Sequence, residues 1–192
     1  MMTSWVRVWI QPGEVTREKI EGKRNETLSF LLVAVFGAIF SFLLIDQINR
    51  DFDVSFNLWI ASTIGLIVSP ILFTLSAWFV AVIGRWMGGE GLASDVRIAL
   101  LWGQILPSVA IWGIRLVEFL INGEASVVPS SRDQSLANMV VAGLSIWIWV
   151  LSLQAVAEAH RFSAWKSLLI YIIFILFLFL FQRLMDFIQW LI

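Results

Sequence analysis

"LWIASTIGLIVSPILFTLSAWFVAVI", residues 58–83, runs for 26 residues without one charged side chain. About 20 mostly apolar residues suffice to cross the hydrocarbon core of a bilayer as a helix. No water is available there, so the backbone satisfies its own polar groups, and a single segment does this only as a helix. The interruptions are small: Ser62, Thr63, Gly65, Ser69, Thr74, Ser76. Gly65 and Ser69 stand four apart, as do Ala77 and Ala81, and small residues at that spacing let two helices approach closely. These four are the candidate helix-contact residues. Pro70 lacks an N–H, frees the carbonyl of Leu66 and predicts a kink near mid-span.

Four further runs of this kind flank the first, at residues 28–45, 98–121, 139–157 and 167–184. The expected fold is all-α: an integral membrane bundle of five transmembrane helices, residues 28–192, preceded by a cytosolic or interfacial segment, residues 1–27. Composition agrees. The chain is 59% hydrophobic and 14% charged, against about 25% charged residues in a soluble domain. Mean hydropathy is +0.86. The run at 28–45 begins after 27 residues and no small-residue cleavage site follows it, so it does not read as a cleaved signal peptide.

Charge sets the expected orientation. Nine basic residues fall on one side: Arg7, Arg17, Lys19, Lys23, Arg24, Arg85, Arg97, Arg161 and Lys166. Four fall on the other: Arg50, Arg115, Arg132 and Arg183. Positive charge marks the cytoplasmic side, so the N-terminus is expected inside and the C-terminus outside. A net charge of −1 gives no basic footprint for nucleic acid. Cysteine is absent, which removes disulfides and cysteine-based zinc sites.

The polar segments carry the remaining detail. Trp5, Val6, Trp9 and Ile10 share one helical face and predict an in-plane interfacial anchor, led by Trp5 and Trp9. Pro12-Gly13 breaks that element. Residues 14–26 form a mixed-charge helix with two open readings, a solvated surface helix or a docking surface. Asn25-Glu26-Thr27 is a glycosylation sequon that a cytosolic side leaves idle. Pro107 frees the carbonyl of Gly103, beside Gln104, so Pro70, Gln104 and Pro107 are the candidate midplane kink and polar positions. Two midplane breaks can line a transport site; yet proline kinks are common in membrane helices, and no Asp, Glu, Lys or Arg falls at the membrane centre. Arg115 and Glu118 are expected at the outer interface, where Arg115 can snorkel, with an intrahelical ion pair between them and a partner contact both open. Asn138 or Ser135 is expected to cap the fourth helix. The last helix ends in an amphipathic tail with Gln182, Asp186 and Gln189 on one face, for the outer interface or another subunit.

Motifs for chemistry are weak. "GRWMGGEG", residues 84–91, lacks the lysine and the preceding strand of a P-loop, and no βαβ unit surrounds it. Gly88 and Gly89 are expected to make a tight cytosolic turn, with Ser94 or Asp95 capping the third helix. His160, the single histidine, cannot build an ordinary zinc site alone. Glu158 is two residues away, but no nucleophile is identifiable beside the pair. His160 and Lys166 are read as cytosolic-turn residues, the imidazole exposed and pH-sensitive or touching a partner. Ser163 is expected to cap the fifth helix. No catalytic, cofactor or metal residue is assigned.

Three stretches together resemble the Yip1 family of small membrane proteins. "WIQPGEVTREKI", residues 9–20, is similar to the proline-led segment before the first span of bacterial members. "IGRWMGGEGLASDVRIALLWGQILP", residues 83–107, resembles the family's Gly-Gly turn, polar cap and Trp-to-Pro third helix. "LQAVAEAHRFSAWKSLLI", residues 153–170, resembles its short loop with His and Ser-x-x-Lys positions. The resemblance implies a multi-span bundle, and the short form, similar to bacterial members, implies a bacterial inner membrane. Eukaryotic members bind Rab GTPases and support vesicle traffic, and carry a long cytosolic N-terminal region; the 27-residue segment here weighs against Rab-type GTPase binding. The functional expectation is a non-enzymatic adaptor, assembly factor or accessory subunit. Its partners are membrane lipids and other membrane subunits, or a second copy of itself. The alternative is a lipid or small-solute carrier built on the proline-broken second and third helices.

Overall fold

The computed structural model describes residues 4–22, 26–122 and 136–191. Lys23, Arg24, the Asn25 of the sequon and Ser135 lie outside the described residues. A short helix α1 (Ser4–Arg7) turns into α2 (Pro12–Glu21). The long helices follow: α3 (Glu26–Phe52), α4 (Leu58–Trp86), α5 (Ala93–Leu100) continuing through a π-helical turn (Leu101–Ile105) into α6 (Leu106–Asn122), α7 (Leu136–His160) and α8 (Ala164–Leu191). Five spans long and apolar enough to cross a membrane result, the third being α5, the π-turn and α6 together.

Most of the helices outrun their apolar stretches because polar side chains close their ends. Asp46 pairs with Arg50 one turn on, at 2.7 Å, and carries α3 past Ile45. Asn49 clasps both backbone groups of Phe56, and Asn57 caps α4 by accepting from the N–H groups of Trp59 and Ile60. Gly88 ends the turn after α4 at φ 84°, a left-handed conformation natural to glycine. Asp95 then accepts the Leu92 N–H at 3.1 Å, so the acidic candidate of the pair Ser94 and Asp95 closes the start of α5. Ser163 directly precedes α8, and its carbonyl accepts the Lys166 N–H. The amphipathic tail is no separate element: α8 runs unbroken to Leu191.

The α3–α4 pair forms where the small residues lie. A Cβ at Gly65 would sit 2.8 Å from the Cβ of Ser41, and one at Gly37 would sit 2.8 Å from the Gly65 carbonyl oxygen. Ser62 donates its hydroxyl to the Ala38 carbonyl at 2.9 Å. Gly65 and Ser69 are therefore occupied by α3 of the same chain. Ala77 and Ala81 are wholly buried in the main core with Val96, Ala99, Ala155, Val156 and Ile170. α4 passes through Pro70 as one helix, and Thr74 spends its hydroxyl on the Pro70 carbonyl.

The third span does break. Its π-turn ends two residues before Pro107. Gly103 within that turn lies against α7, where a Cβ would come within 2.6 Å of the Ala155 Cβ. The missing Pro107 N–H and the close approach at Gly103 together explain why the irregularity falls here. Gly65→Leu is expected to destabilise the bundle by about 1–3 kcal/mol through overpacking. Thermal unfolding in detergent checks this; an unchanged midpoint would place the α3–α4 crossing elsewhere.

Candidate functional site

Two places in the bundle bring polar side chains together. The first is the end that carries α2, the α4–α5 turn and the α7–α8 turn. α2 lies on α7 with Val15 and Thr16 fully buried. Arg17 pairs with Glu158 of α7; hydrogen bonding to that carboxylate, reinforced by its charge, holds the guanidinium above its ordinary range. Lys19 is buried and its ammonium stands 4.8 Å from the Trp102 ring centre. The helix is thus docked on the bundle through charged and apolar contacts, beyond a purely solvated surface element. Its leading turn reaches deeper than an in-plane anchor. Trp9 packs beside Ile111, Val141 and Ile148, and the Trp147 indole N–H donates to the Trp9 carbonyl. Trp5 stays half-exposed.

A cleft of about 790 Å³ opens at this end, lined by Arg17, Glu21, Glu90, Asp95, Glu158 and Arg161 among others. Most of its charges are already engaged: Arg17 with Glu158, Arg161 with Glu90 at 3.3 Å, Asp95 with the Leu92 N–H. Lys166 donates to the Met87 carbonyl and ties the start of α8 to the end of α4.

His160 corrects the expectation of a surface residue. It is 1% exposed. Its Nδ1 accepts the Gly91 N–H at 3.2 Å, its carbonyl accepts the Glu90 N–H, and its ring stacks on Phe162. A Cβ at Gly89 would lie 2.7 Å from Nδ1, one at Gly91 2.8 Å, and one at Gly84 closer still to the ring edge. The glycines of "GRWMGGEG" make the space this imidazole fills. Gly88 supplies the positive φ and Gly89 the close approach. The sequence shows both the glycines and the histidine, but not that residues about 70 positions apart share one box.

Arg115 is the second correction. It is 1% exposed and turned inward. Its Nη1 donates to Glu118 at 2.7 Å and its Nη2 to the Asn138 side-chain oxygen at 2.6 Å. Asn138 lies inside the first turn of α7 and spends its oxygen on Arg115, so it is no cap. A buried guanidinium needs such partners, since one left unpaired in this environment is costly.

The second polar place is in the middle of the bundle. A cavity of about 600 Å³ lies between α3, α4, the π-turn and α6, α7 and α8. Gln104, on the π-turn, lines it with Ser69, Ser76 and Ser108. Of the three midplane candidates Gln104 lines this space; Pro70 and Pro107 do not, although Ser69, next to Pro70, does. Aromatic side chains form much of the wall, with Phe36 and Phe40 edge-on to Trp112 and Trp149 near Tyr171. Tyr171, the single tyrosine of the chain, is a lining residue that sequence reading missed, since a helix apolar on every face does not show which side lines a cavity.

Among the described residues no group of three or more His, Asp and Glu is placed to hold a metal. These features define an integral membrane protein, a bundle of apolar helices closed at one end by a docked N-terminal helix. A family model, the Yip1 domain, matches residues 6–183, and the chain belongs to the Yip1 family. Comparison with curated proteins and with solved structures gave no match.

Gly84→Ala is expected to push the imidazole out of its box and cost about 1–3 kcal/mol. Adding His160→Ala should recover much of that loss, because the two residues share one space. A double-mutant cycle by thermal unfolding checks it; strictly additive losses would separate the glycine from the histidine.

Proposed function

We propose that the chain acts by binding rather than by catalysis, as an adaptor or accessory subunit of other membrane proteins. The observation that supports this reading is α8. Its first two turns are anchored through Ser167, Ile170 and Tyr171, and beyond them Phe174 and Phe177 touch Phe79 of α4. From Ile172 to Leu184 nearly every described side chain is exposed and most are large and apolar. Such a helix presents a long surface to lipid or to another membrane helix, and the cavity beside it is left open. The small-residue faces of α4 are used within the chain, which moves the expected partner surface from α4 to α8. The basic end, with α2 and the two short turns, is read as cytoplasmic by the positive-inside rule, and a bacterial inner membrane as the setting.

Gentle extraction at native expression followed by native mass spectrometry tests the adaptor reading. A stoichiometric membrane-protein partner is expected, lost when Ile175 and Phe179 are changed to alanine. A chain that extracts alone would contradict it.

A second reading, a lipid or small-solute carrier, is favoured by one observation: Ser69 and Gln104, beside Pro70 and Pro107, line the same intramembrane cavity. Lipid flux in proteoliposomes should fall with Gln104→Leu; flux that the substitution leaves intact would remove this site.

A further inference from the structure

The central cavity reaches mid-bilayer depth on α4, the third span, α7 and α8; on α3 its lining, from Val33 to Phe40, lies in the first half of Phe30–Phe52. Gln104 stands about 16 Å along the helix axis from Ala93, where its span starts, close to half of a hydrocarbon core about 30 Å thick. Ser69 and Ser76 bracket the middle of Leu58–Trp86, and Phe174 is the midpoint of Ala164–Leu184. Among the described residues no Asp, Glu, Lys, Arg or His lines the cavity. Its polar side chains are neutral, and several are unmatched, the buried Tyr171 hydroxyl among them. Ser108 spends its hydroxyl on the Gln104 carbonyl at 2.6 Å. The Gln104 side-chain amide and the Ser69 and Ser76 hydroxyls have no hydrogen-bond partner among the described residues.

These facts restrict the occupant. A phospholipid headgroup carries charge that does not belong at the midplane without a partner. A plain acyl chain fits the depth but leaves an amide and two hydroxyls unsatisfied in hydrocarbon, at a cost for each. The matching molecule is uncharged, carries hydrogen-bond acceptors on a compact head, and continues as an apolar tail. The walls add a shape. Phe36, Phe40, Trp112, Trp149, Tyr171 and Phe174 surround the space, and aromatic faces and edges favour a flat ring. A volume of about 600 Å³ is in the range of small-molecule sites.

We infer that this cavity is a binding site for a neutral isoprenoid lipid with a carbonyl-bearing ring, of the quinone type. Gln104, Ser69 and Ser76 donate to the ring oxygens, and the tail leaves between the exposed apolar side chains of α4 and α8. The inference rests on the cavity of the carrier reading and deepens it by naming the ligand class; it requires binding and no transport.

The test is retention by the full chain in mild detergent. The chain is loaded with ubiquinone-2 or with squalene, an isoprenoid without oxygen, passed through gel filtration, and the bound lipid is extracted and quantified. Saturable retention of about one quinone per chain is expected, with squalene at background. Gln104→Leu, at an exposed position that the fold does not need, should weaken quinone binding about ten-fold, the loss of one hydrogen bond that leaves its acceptor unmatched. Ser76→Ala should weaken it in the same direction. Equal retention of squalene and quinone, or retention untouched by both substitutions, would overturn the proposal. Quinone held by a chain that moves no lipid in proteoliposomes would instead remove the carrier reading and leave this site standing.

Discussion

Close backbone contact is the constraint on which the bundle depends. Between helices in a bilayer there is no gain from hiding apolar surface, because lipid tails are as apolar as leucine. What remains is dispersion and hydrogen bonding at short range, and short range needs residues without bulk. The chain supplies them where helices meet: Gly37 against Gly65 for α3 and α4, Gly103 against Ala155 for the third span and α7, and three glycines around His160 where the α4–α5 turn meets the end of α7. Each contact excludes even a methyl group without adjustment.

The same constraint explains where the structure is open. α8 has the apolar content of a span but no small-residue face along its outer two thirds, where "IIFILFLFLF" at 172–181 alternates leucine, isoleucine and phenylalanine. It cannot approach another helix closely, so it leans on α4 through Phe79, Phe174 and Phe177 and leaves a cavity behind them. The π-turn in the third span feeds that cavity. It accommodates Gly103 against α7, and it carries Gln104 to the open side, where the polar side chain faces unfilled space.

The sequence made the five spans legible because length and hydropathy suffice for a helix in lipid. The turn chemistry was legible too: Gly88 and Asp95 do locally what their residue types favour. The N-terminal aromatic face was visible, but its depth was not, because Trp9 reaches Ile111 and Ile148 through contacts distant in sequence. For His160 and Arg115, residue type was a poor guide. Both are polar and near helix ends, which reads as exposure. Each is buried because a distant partner answers it, the backbone of Gly91 for one and Asn138 for the other. Gly65 and Ser69 were recognisable as a contact face, yet nothing in their spacing tells an intramolecular neighbour from a second protein.

That last distinction is the most direct to settle. The chain has no cysteine, so a pair can be introduced without background. Ala38→Cys with Ser62→Cys places thiols where the Ser62 hydroxyl meets the Ala38 carbonyl across the α3–α4 crossing. Mild oxidation in native membranes followed by non-reducing electrophoresis should give a faster-migrating monomer, cross-linked within one chain. A cross-linked dimer, with no compact monomer, would place the small-residue face between chains and contradict the packing on which the fold rests.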